Sequence, residues 1–407
     1  MIDRTKSEEL FHRAAKVIPG GIYGHVSPLA GLPDCFPNYC KKAKGYEFED
    51  VDGKKWIDFM CGYGSILHGF LNPEIENAVK EQLKLGAVFN QPAEIMVELA
   101  EELTSQIDFA DWSVFAKNGS DLTTWAIRVA RQFTQKPIVL KVKGSYHGVD
   151  SWCDPGLGGR IPSDRSDVIE FPWNDLNKLD DIISAKSNRI ACIISTPYHH
   201  ASFAPSELPS DKFWESVRKI CDKHEILLIL DDVRCGGRLH PSGSHRFFNF
   251  IPDLAVYSKS LGNGYAISAC AGKEKLKKSS MDVFLTGSCW NDAVAMTAAY
   301  TSLTISKRDC VAEQVMRKGE YFCSNLEKIA QENELPLAMT GPASMPYPWI
   351  DGDDNLFSIQ KFSRFCAMEG LYFHPHHNWF ISNAHTRESL DLALEKAQVG
   401  ISKMMSS

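Results

Sequence analysis

The sequence predicts an α/β protein: a large unit on a mostly parallel sheet held between helices, with a smaller α+β unit formed by the two ends of the chain. Two observations carry that expectation. Between about residues 72 and 305, helical patterns alternate with short apolar runs: Val114-Phe-Ala, Ile138-Val-Leu-Lys-Val, Ile190-Ala-Cys-Ile-Ile, Ile226-Leu-Leu-Ile-Leu and Leu254-Ala-Val-Tyr. Such alternation builds parallel sheets whose ligands sit beyond the carboxyl ends of the strands. From about Cys310 the pattern changes to long amphipathic helices around one short strand pair. The expected divisions are residues 1–55, an N-terminal segment of the small unit that also serves as a lid; 56–308, the large unit; and 309–407, the rest of the small unit.

Along the chain, Leu10, Phe11, Ala14, Ala15, Val17 and Ile18 recur at helical spacing over Ser7 to Ile18 and stop at Pro19-Gly20-Gly21, a helix followed by a loop. Asp52-Gly53 between alternating apolar positions signals a β-hairpin. Toward the end, amphipathic helices are expected over Val311–Glu332, Leu356–Glu369 and Glu388–Met404.

Composition narrows the function. With 407 residues the chain has room for two or three structural units. A formal charge of −7 leaves no broad footprint for nucleic acid or an anionic membrane. No apolar stretch approaches the roughly 18 residues of a membrane helix, and the N-terminus lacks the apolar core of a signal peptide. The expected location is the cytoplasm, with no nucleic-acid or membrane partner. The 12 cysteines are scattered without a C-x-x-C pair, which reads as reduced thiols; Cys235 stands out because it lies inside the motif below.

That motif has two halves, Ile229-Leu-Asp231-Asp232-Val233-Arg234-Cys235-Gly236 and Asp253-Leu-Ala-Val-Tyr-Ser258-Lys259-Ser260-Leu-Gly262-Asn263-Gly264. Each ends a buried strand with a charged residue. An acid and a lysine 28 positions apart (259 − 231) at neighbouring strand ends are placed to meet in one cleft.

Together with Pro19-Gly-Gly, Asp50-Val-Asp-Gly53, Lys117-Asn-Gly-Ser-Asp121, Gly144-Ser-Tyr-His-Gly148 and Asn383-Ala-His-Thr386, these stretches resemble the class III pyridoxal-phosphate aminotransferases, especially the branch containing glutamate-1-semialdehyde aminomutase. The resemblance spans nearly the whole chain and keeps the family's order. It implies a fold-type I architecture with a seven-stranded sheet in the large, cofactor-binding unit, and pyridoxal 5′-phosphate as cofactor. Lys259 would form the Schiff base and move the substrate proton. Asp231, the first acid of its pair, would hold the pyridine nitrogen protonated, in preference to Asp232. Val233 would pack beneath the ring and Tyr146 stack on its other face, with His147 lining the site. Asn118, Gly119 and Ser120 precede a helical run and would hold the phosphate, as helix starts do. Ser288, in a Gly287-Ser288 pair that matches the family's Gly-Thr turn, would reach the phosphate of a neighbouring subunit, making a homodimer with shared active sites.

Several positions depart from the family. Ser27 stands where the aminomutase loop carries an arginine for the substrate carboxylate, with Tyr23 in the same loop. The strand that commonly ends in Glu-Pro ends in Thr196-Pro197, followed by Tyr198-His199-His200. Tyr63 replaces a tryptophan. Arg234 either contacts the cofactor hydroxyl or a substrate anion, or forms a salt bridge outside the pocket. The segment Phe373-His374-Pro-His376-His377 is dense in imidazole; without carboxylate or cysteine companions it reads as pocket wall, with His376 the candidate, or as a packed loop, and no metal is expected.

Loss of the arginine weighs against glutamate-1-semialdehyde isomerisation, since an uncompensated buried carboxylate is costly. The expected activity is amino transfer from a small-molecule amino donor to a carbonyl acceptor through a pyridoxamine phosphate intermediate. An intramolecular aminomutase is the first alternative. A decarboxylase, a racemase and an inactive binding homologue stand behind it.

Overall fold

The hairpin signalled by Asp52-Gly53 forms around one carboxylate. In the computed structural model of the protein, which describes residues 3–24, 32–156, 158–200 and 203–407, strands β1 (Cys40–Lys44), β2 (Glu47–Asp50) and β3 (Lys55–Asp58) pair antiparallel. The buried Asp50 carboxylate accepts hydrogen bonds from the Asp52 N–H at 3.0 Å, the Lys54 N–H at 2.9 Å and the Trp56 Nε1–H at 2.7 Å. Gly53 closes the turn at a φ of 93°, a conformation that glycine adopts without strain. Asp52 then reaches the helix Thr5–Ala14, accepting from the N–H groups of Lys6 and Ser7 at 2.7 and 3.1 Å, where an anion favours a helix start. That helix stops at Ala14 rather than Ile18. Val17 is 81% exposed, so the apolar spacing there covers no core.

The large unit, Pro73–Ala201 with Ser206–Glu313, is built on β4 (Trp112–Ala116), β5 (Ile138–Val142), β6 (Val168–Phe171), β7 (Ile190–Ser195), β8 (Leu227–Asp231), β9 (Leu254–Tyr257) and β10 (Ser268–Gly272). Their order is β4-β10-β9-β8-β7-β5-β6. Only β10 runs against its neighbours, β4 and β9, so the other six strands end at one edge. Both faces are buried, and alternate residues divide between them. Leu227, Ile229, Leu254 and Val256 pack with Leu122, Trp125, Ala126 and Val129 of the helix Gly119–Thr134. Leu228, Leu230, Ala255 and Tyr257 pack on the other face with Phe213, Trp214, Met296 and Ala299.

The small unit, Met1–Asn72, Ser202–Pro205 and Gln314–Ser407, adds the antiparallel pair β11 (Leu337–Thr340) and β12 (Tyr347–Ile350), and β13 (Leu371–Tyr372), which lies parallel to β3 at the edge of the four-stranded sheet. The helices Val311–Glu332, which enters this unit at Gln314, Phe357–Met368 and Arg387–Met405 lie within a residue of the expected spans. The expected boundary at 55/56 falls instead at 72/73: Trp56 and Met60 pack with Cys35, Phe36, Ala367 and Tyr372 of the small unit. The later boundary moves from 308/309 to 313/314, and residues 202–205, not anticipated in the small unit, belong to it. Among the described residues no helix is long and apolar enough to cross a membrane.

Candidate active site

Five strands of the large unit deliver side chains to one cavity of about 480 Å³ at the edge where they end. Asn118, Gly119, Ser120 and Asp121 follow β4; Tyr146, His147, Gly148 and Val149 follow β5; Thr196 and His200 follow β7; Asp231, Val233 and Arg234 end and follow β8; Ser258 and Lys259 follow β9. Ligands of parallel α/β sheets bind at this edge because the loops there are free of the ladder while the strands hold their bases rigid.

Lys259 opens a single 3-10 turn, Lys259–Gly262, with a φ of 51°. Burial first, and then the positive charge of Arg234, lower its amine from the ordinary lysine value to about 7, while Asp231 pulls the other way. Asp231, on the adjacent strand, is buried. Its Oδ2 lies 2.7 Å from His147 Nδ1 and its Oδ1 accepts from the Val233 N–H at 3.2 Å. His147 Nε2 is 2.9 Å from Ser145 Oγ, and that hydroxyl donates to the Val142 carbonyl at 2.6 Å. The imidazole, expected as a wall, is therefore also the partner of the acid. The Trp152 ring lies nearly parallel to it at 6.1 Å between centroids.

Asp232, one residue on, turns away from the cavity. Its carboxylate accepts from Ser244 N–H at 2.8 Å and Ser244 Oγ–H at 2.5 Å, and burial pushes its pKa up to about 7 against those bonds. Cys235 is also buried outside the cavity, and burial pushes its thiol well above the ordinary value, so it is an inert thiol.

The start of the helix Gly119–Thr134 is left bare by two glycines. A Cβ on Gly119 would meet Val233 Cγ2 at 2.8 Å, and one on Gly148 would meet Ser120 Oγ at 2.5 Å. Asp121 ties the approach to the helix by accepting from the Asn118 N–H at 2.8 Å and the Lys117 N–H at 3.3 Å. The first N–H groups of a helix have no partner within it, which makes this end an anion site.

Of the expected residues, Asn118, Gly119, Ser120, Tyr146, His147, Asp231, Val233, Arg234 and Lys259 come together here. Ser288 is exposed and is not in this wall. Tyr23, Tyr63 and His376 lie in the small unit: Tyr23 is 82% exposed, Tyr63 meets His377 edge-on at 5.3 Å, and His376 is buried 5.3 Å from the Phe203 ring. Ser27 lies outside the described residues. Thr196 and His200 were noted in the sequence only as departures, yet both line the cavity; their place immediately after a buried strand is the one pointer to them. Burial and Arg234 hold His200 well below the usual imidazole value.

A sequence profile of the family Aminotransferase class-III matches residues 33–342. The aminopentol aminotransferase of Sphingopyxis macrogoltabida is 38% identical over 405 residues, covering 100% of this chain and 96% of that protein. The 3-aminobutyryl-CoA aminotransferase of Cloacimonas acidaminovorans is 33% identical, covering 98% and 97%. A glutamate-1-semialdehyde 2,1-aminomutase of Methanothermobacter thermautotrophicus is 30% identical, covering 97% and 98%. The solved structure of the PLP internal aldimine form of the FumI protein of Sphingopyxis sp. MTA144 superposes with a TM-score of 0.97 at 38% identity, covering 99% of this chain and 97% of that one. Matched over most of its length by the family and over nearly all of it by these relatives, the chain belongs to the class III aminotransferases and is a pyridoxal-phosphate-dependent enzyme.

Proposed function

We propose that this aminotransferase works in the cavity at the strand ends, with Lys259 as nucleophile and proton carrier and Asp231 as partner of the cofactor's ring nitrogen. One observation carries the reading: a lysine lowered to about 7 shares a cavity with a buried carboxylate held in place from behind. The residues present suit pyridoxal 5′-phosphate, because Gly119 and Gly148 leave a helix start uncovered and Asp231 lines the same cavity. When bound, that cofactor supplies an aldehyde and an electron-withdrawing ring.

At neutral pH a substantial share of Lys259 is free amine, able to attack a carbonyl, and once released it carries a proton from one carbon to another. Asp231 keeps a proton on the ring nitrogen by favouring its cationic form. Asn118, Gly119 and Ser120 bind the phosphate through the helix start, and Tyr146 and Val233 are the ring's walls. His147 positions Asp231. The exposed Ser288, whose turn is tight enough that a Cβ on Gly287 would meet Trp290 at 2.4 Å, supports a homodimer in which its hydroxyl serves the partner subunit's phosphate. The reading includes a cytoplasmic location and small-molecule donor and acceptor.

The test is the visible spectrum of the protein with pyridoxal phosphate beside its Lys259→Ala variant, followed by a panel of amino donors. A band that the variant lacks, discharged by a donor with release of one equivalent of carbonyl product, is the expected result; a band unchanged in Lys259→Ala overturns the assignment. The aminomutase relative supports one alternative, an amino group returned to the same molecule, and product formed with no second substrate would establish it.

A further inference from the structure

The helix Gly119–Thr134, whose start is the anion site, also grips the loop that carries His147. Ser120, Thr123 and Thr124 stand at i, i+3 and i+4 and so share one side of its first turns. Each of their hydroxyls meets the loop after β5. Ser120 Oγ accepts from the Val149 N–H at 3.3 Å. Thr123 Oγ1, on a buried residue, lies 2.7 Å from the His147 carbonyl that it donates to, closer than the 3.2 Å to the Ser120 carbonyl of its own helix. Thr124 Oγ1 accepts from the Trp152 Nε1–H at 2.8 Å and donates to the Asp150 carboxylate, and the Trp152 ring lies along the His147 imidazole. A threonine inside a helix ordinarily turns its hydroxyl back to a carbonyl of its own preceding turn. The shorter bond of Thr123 instead runs to a loop residue 24 positions away, which makes it a tertiary tie.

We propose that Thr123 is a positioning residue for Asp231: by fixing the His147 carbonyl it fixes the imidazole's bond to the acid, so that one helix both seats the phosphate and sets the acid for the ring nitrogen. The assignment rests on the reading of Asp231 given above and deepens it. The Thr123 tie constrains where the His147 side chain begins, whereas Ser145 and Trp152 constrain where its ring points. Without the tie the His147 peptide can shift, and a hydrogen bond weakens steeply as its angle opens. Hydrogen bonds behind a reacting group are what hold it in its working geometry. An anion at the helix start engages the N–H groups of the turn that bears Ser120, and so firms the same turns that hold the loop. Valine matches threonine in shape but cannot donate, and serine donates without the methyl, so the two substitutions separate the hydroxyl from its packing.

Cofactor-free protein carrying isotopically labelled histidine is followed by nuclear magnetic resonance, with the imidazole Nδ1–H signal of His147 assigned by its absence from His147→Phe. In Thr123→Val that proton should exchange with water roughly tenfold faster or more, the effect of about one hydrogen bond, and in Thr123→Ser within about twofold of the parent. Inorganic phosphate should slow the exchange in the parent and in Thr123→Ser but not in Thr123→Val. With pyridoxal phosphate bound, kcat for amino transfer in Thr123→Val should fall about fivefold or more while KM for the donor stays within about twofold. N-methylated pyridoxal phosphate, whose ring nitrogen is charged without a proton, should narrow the gap between Thr123→Val and a parent bearing the same cofactor. Thr124→Val, at a half-buried position, reads the same grip through Trp152 if Thr123→Val does not fold. Exchange in Thr123→Val equal to the parent, equal losses in the valine and serine variants, or a rate deficit unchanged by the N-methylated cofactor overturns the proposal. A parent that forms no visible band with pyridoxal phosphate overturns the reading of the site itself, a result distinct from these.

Discussion

His147 Nδ1 stands 2.7 Å from Asp231 Oδ2 in a buried pair that lines the cavity, and Ser145 fixes the far side of the ring at 2.9 Å. The carboxylate is thereby held in one orientation before any ligand arrives. Replacing His147 by Phe keeps a flat ring beside Trp152 but removes the hydrogen bond. Losing a buried bond to a charged group costs about 1.5–3 kcal/mol, so the rate of amino transfer at saturating cofactor should fall roughly ten- to a hundredfold. A rate within twofold of the parent would show that Asp231 needs no partner.

Lys259 predicts a pH profile. With its amine at about 7, the free-base fraction, and with it the rate at which cofactor-free protein captures pyridoxal phosphate, should rise about tenfold from pH 6 to pH 8. Stopped-flow absorbance reads this directly, and a flat profile refutes it. The same shift bears on stability. An unfolded lysine holds its proton to about 10.4, so between about 7 and that value the unfolded chain carries a proton the folded protein lacks. This group's contribution therefore grows as pH rises through that window and is lost as pH falls through 7. Cofactor-free Lys259→Met should lack that rise and melt above the parent at pH 6.5.

Gly119→Ala should cut affinity for pyridoxal phosphate by roughly tenfold or more, because the new methyl would meet Val233 Cγ2 at 2.8 Å and overpacking of this kind costs about 1–3 kcal/mol. Adding Val233→Ala removes the obstructing methyls, so the double variant should bind better than Gly119→Ala alone. Equilibrium titration of the visible band compares the three; additive losses would place the defect elsewhere.

Asp232 makes the opposite stability prediction. Its carboxyl sits at about 7 in the fold and at about 3.9 when unfolded, so between those values the folded protein holds the extra proton. The contribution is complete below the unfolded value and is lost as pH rises through 7. Asp232→Asn stays neutral and can accept from the Ser244 N–H while donating to Ser244 Oγ. It should melt with the parent at pH 4 and about 2 °C or more above it at pH 8. A variant less stable than the parent at pH 8 would mean that the charged form is the one the fold prefers.

Sequence patterning exposes the strands that carry bulk. β5, β7, β8 and β9 are mostly apolar runs buried on both faces, and each was visible as such. β10 was not, because Ser268-Ala-Cys-Ala-Gly272 is small throughout: a Cβ on Gly272 would meet Trp112 at 2.4 Å, so close packing selects against the very side chains that announce a strand. β6 is four residues at the sheet edge with one buried side chain, too little for a period to register. In the site, Lys259 and Asp231 each end or follow an apolar run with a charge, but it was the resemblance of the whole motif to the class III family that gave them their roles. The partnership of His147 with Asp231 was not legible, since 84 positions separate them and only the folded sheet brings them together. The split between 55 and 72 was misplaced because Trp56-Ile-Asp-Phe reads equally well as the last strand of one unit or the first of the next.

The cavity's contributors hang from separate strands: Lys259 and Asp231 from β9 and β8, Thr196 and His200 from β7. The reactive pair thus rests on two adjacent strands, and the part of the wall that Thr196 and His200 supply rests on a third, so a change in the run after β7 leaves the supports of Lys259 and Asp231 in place.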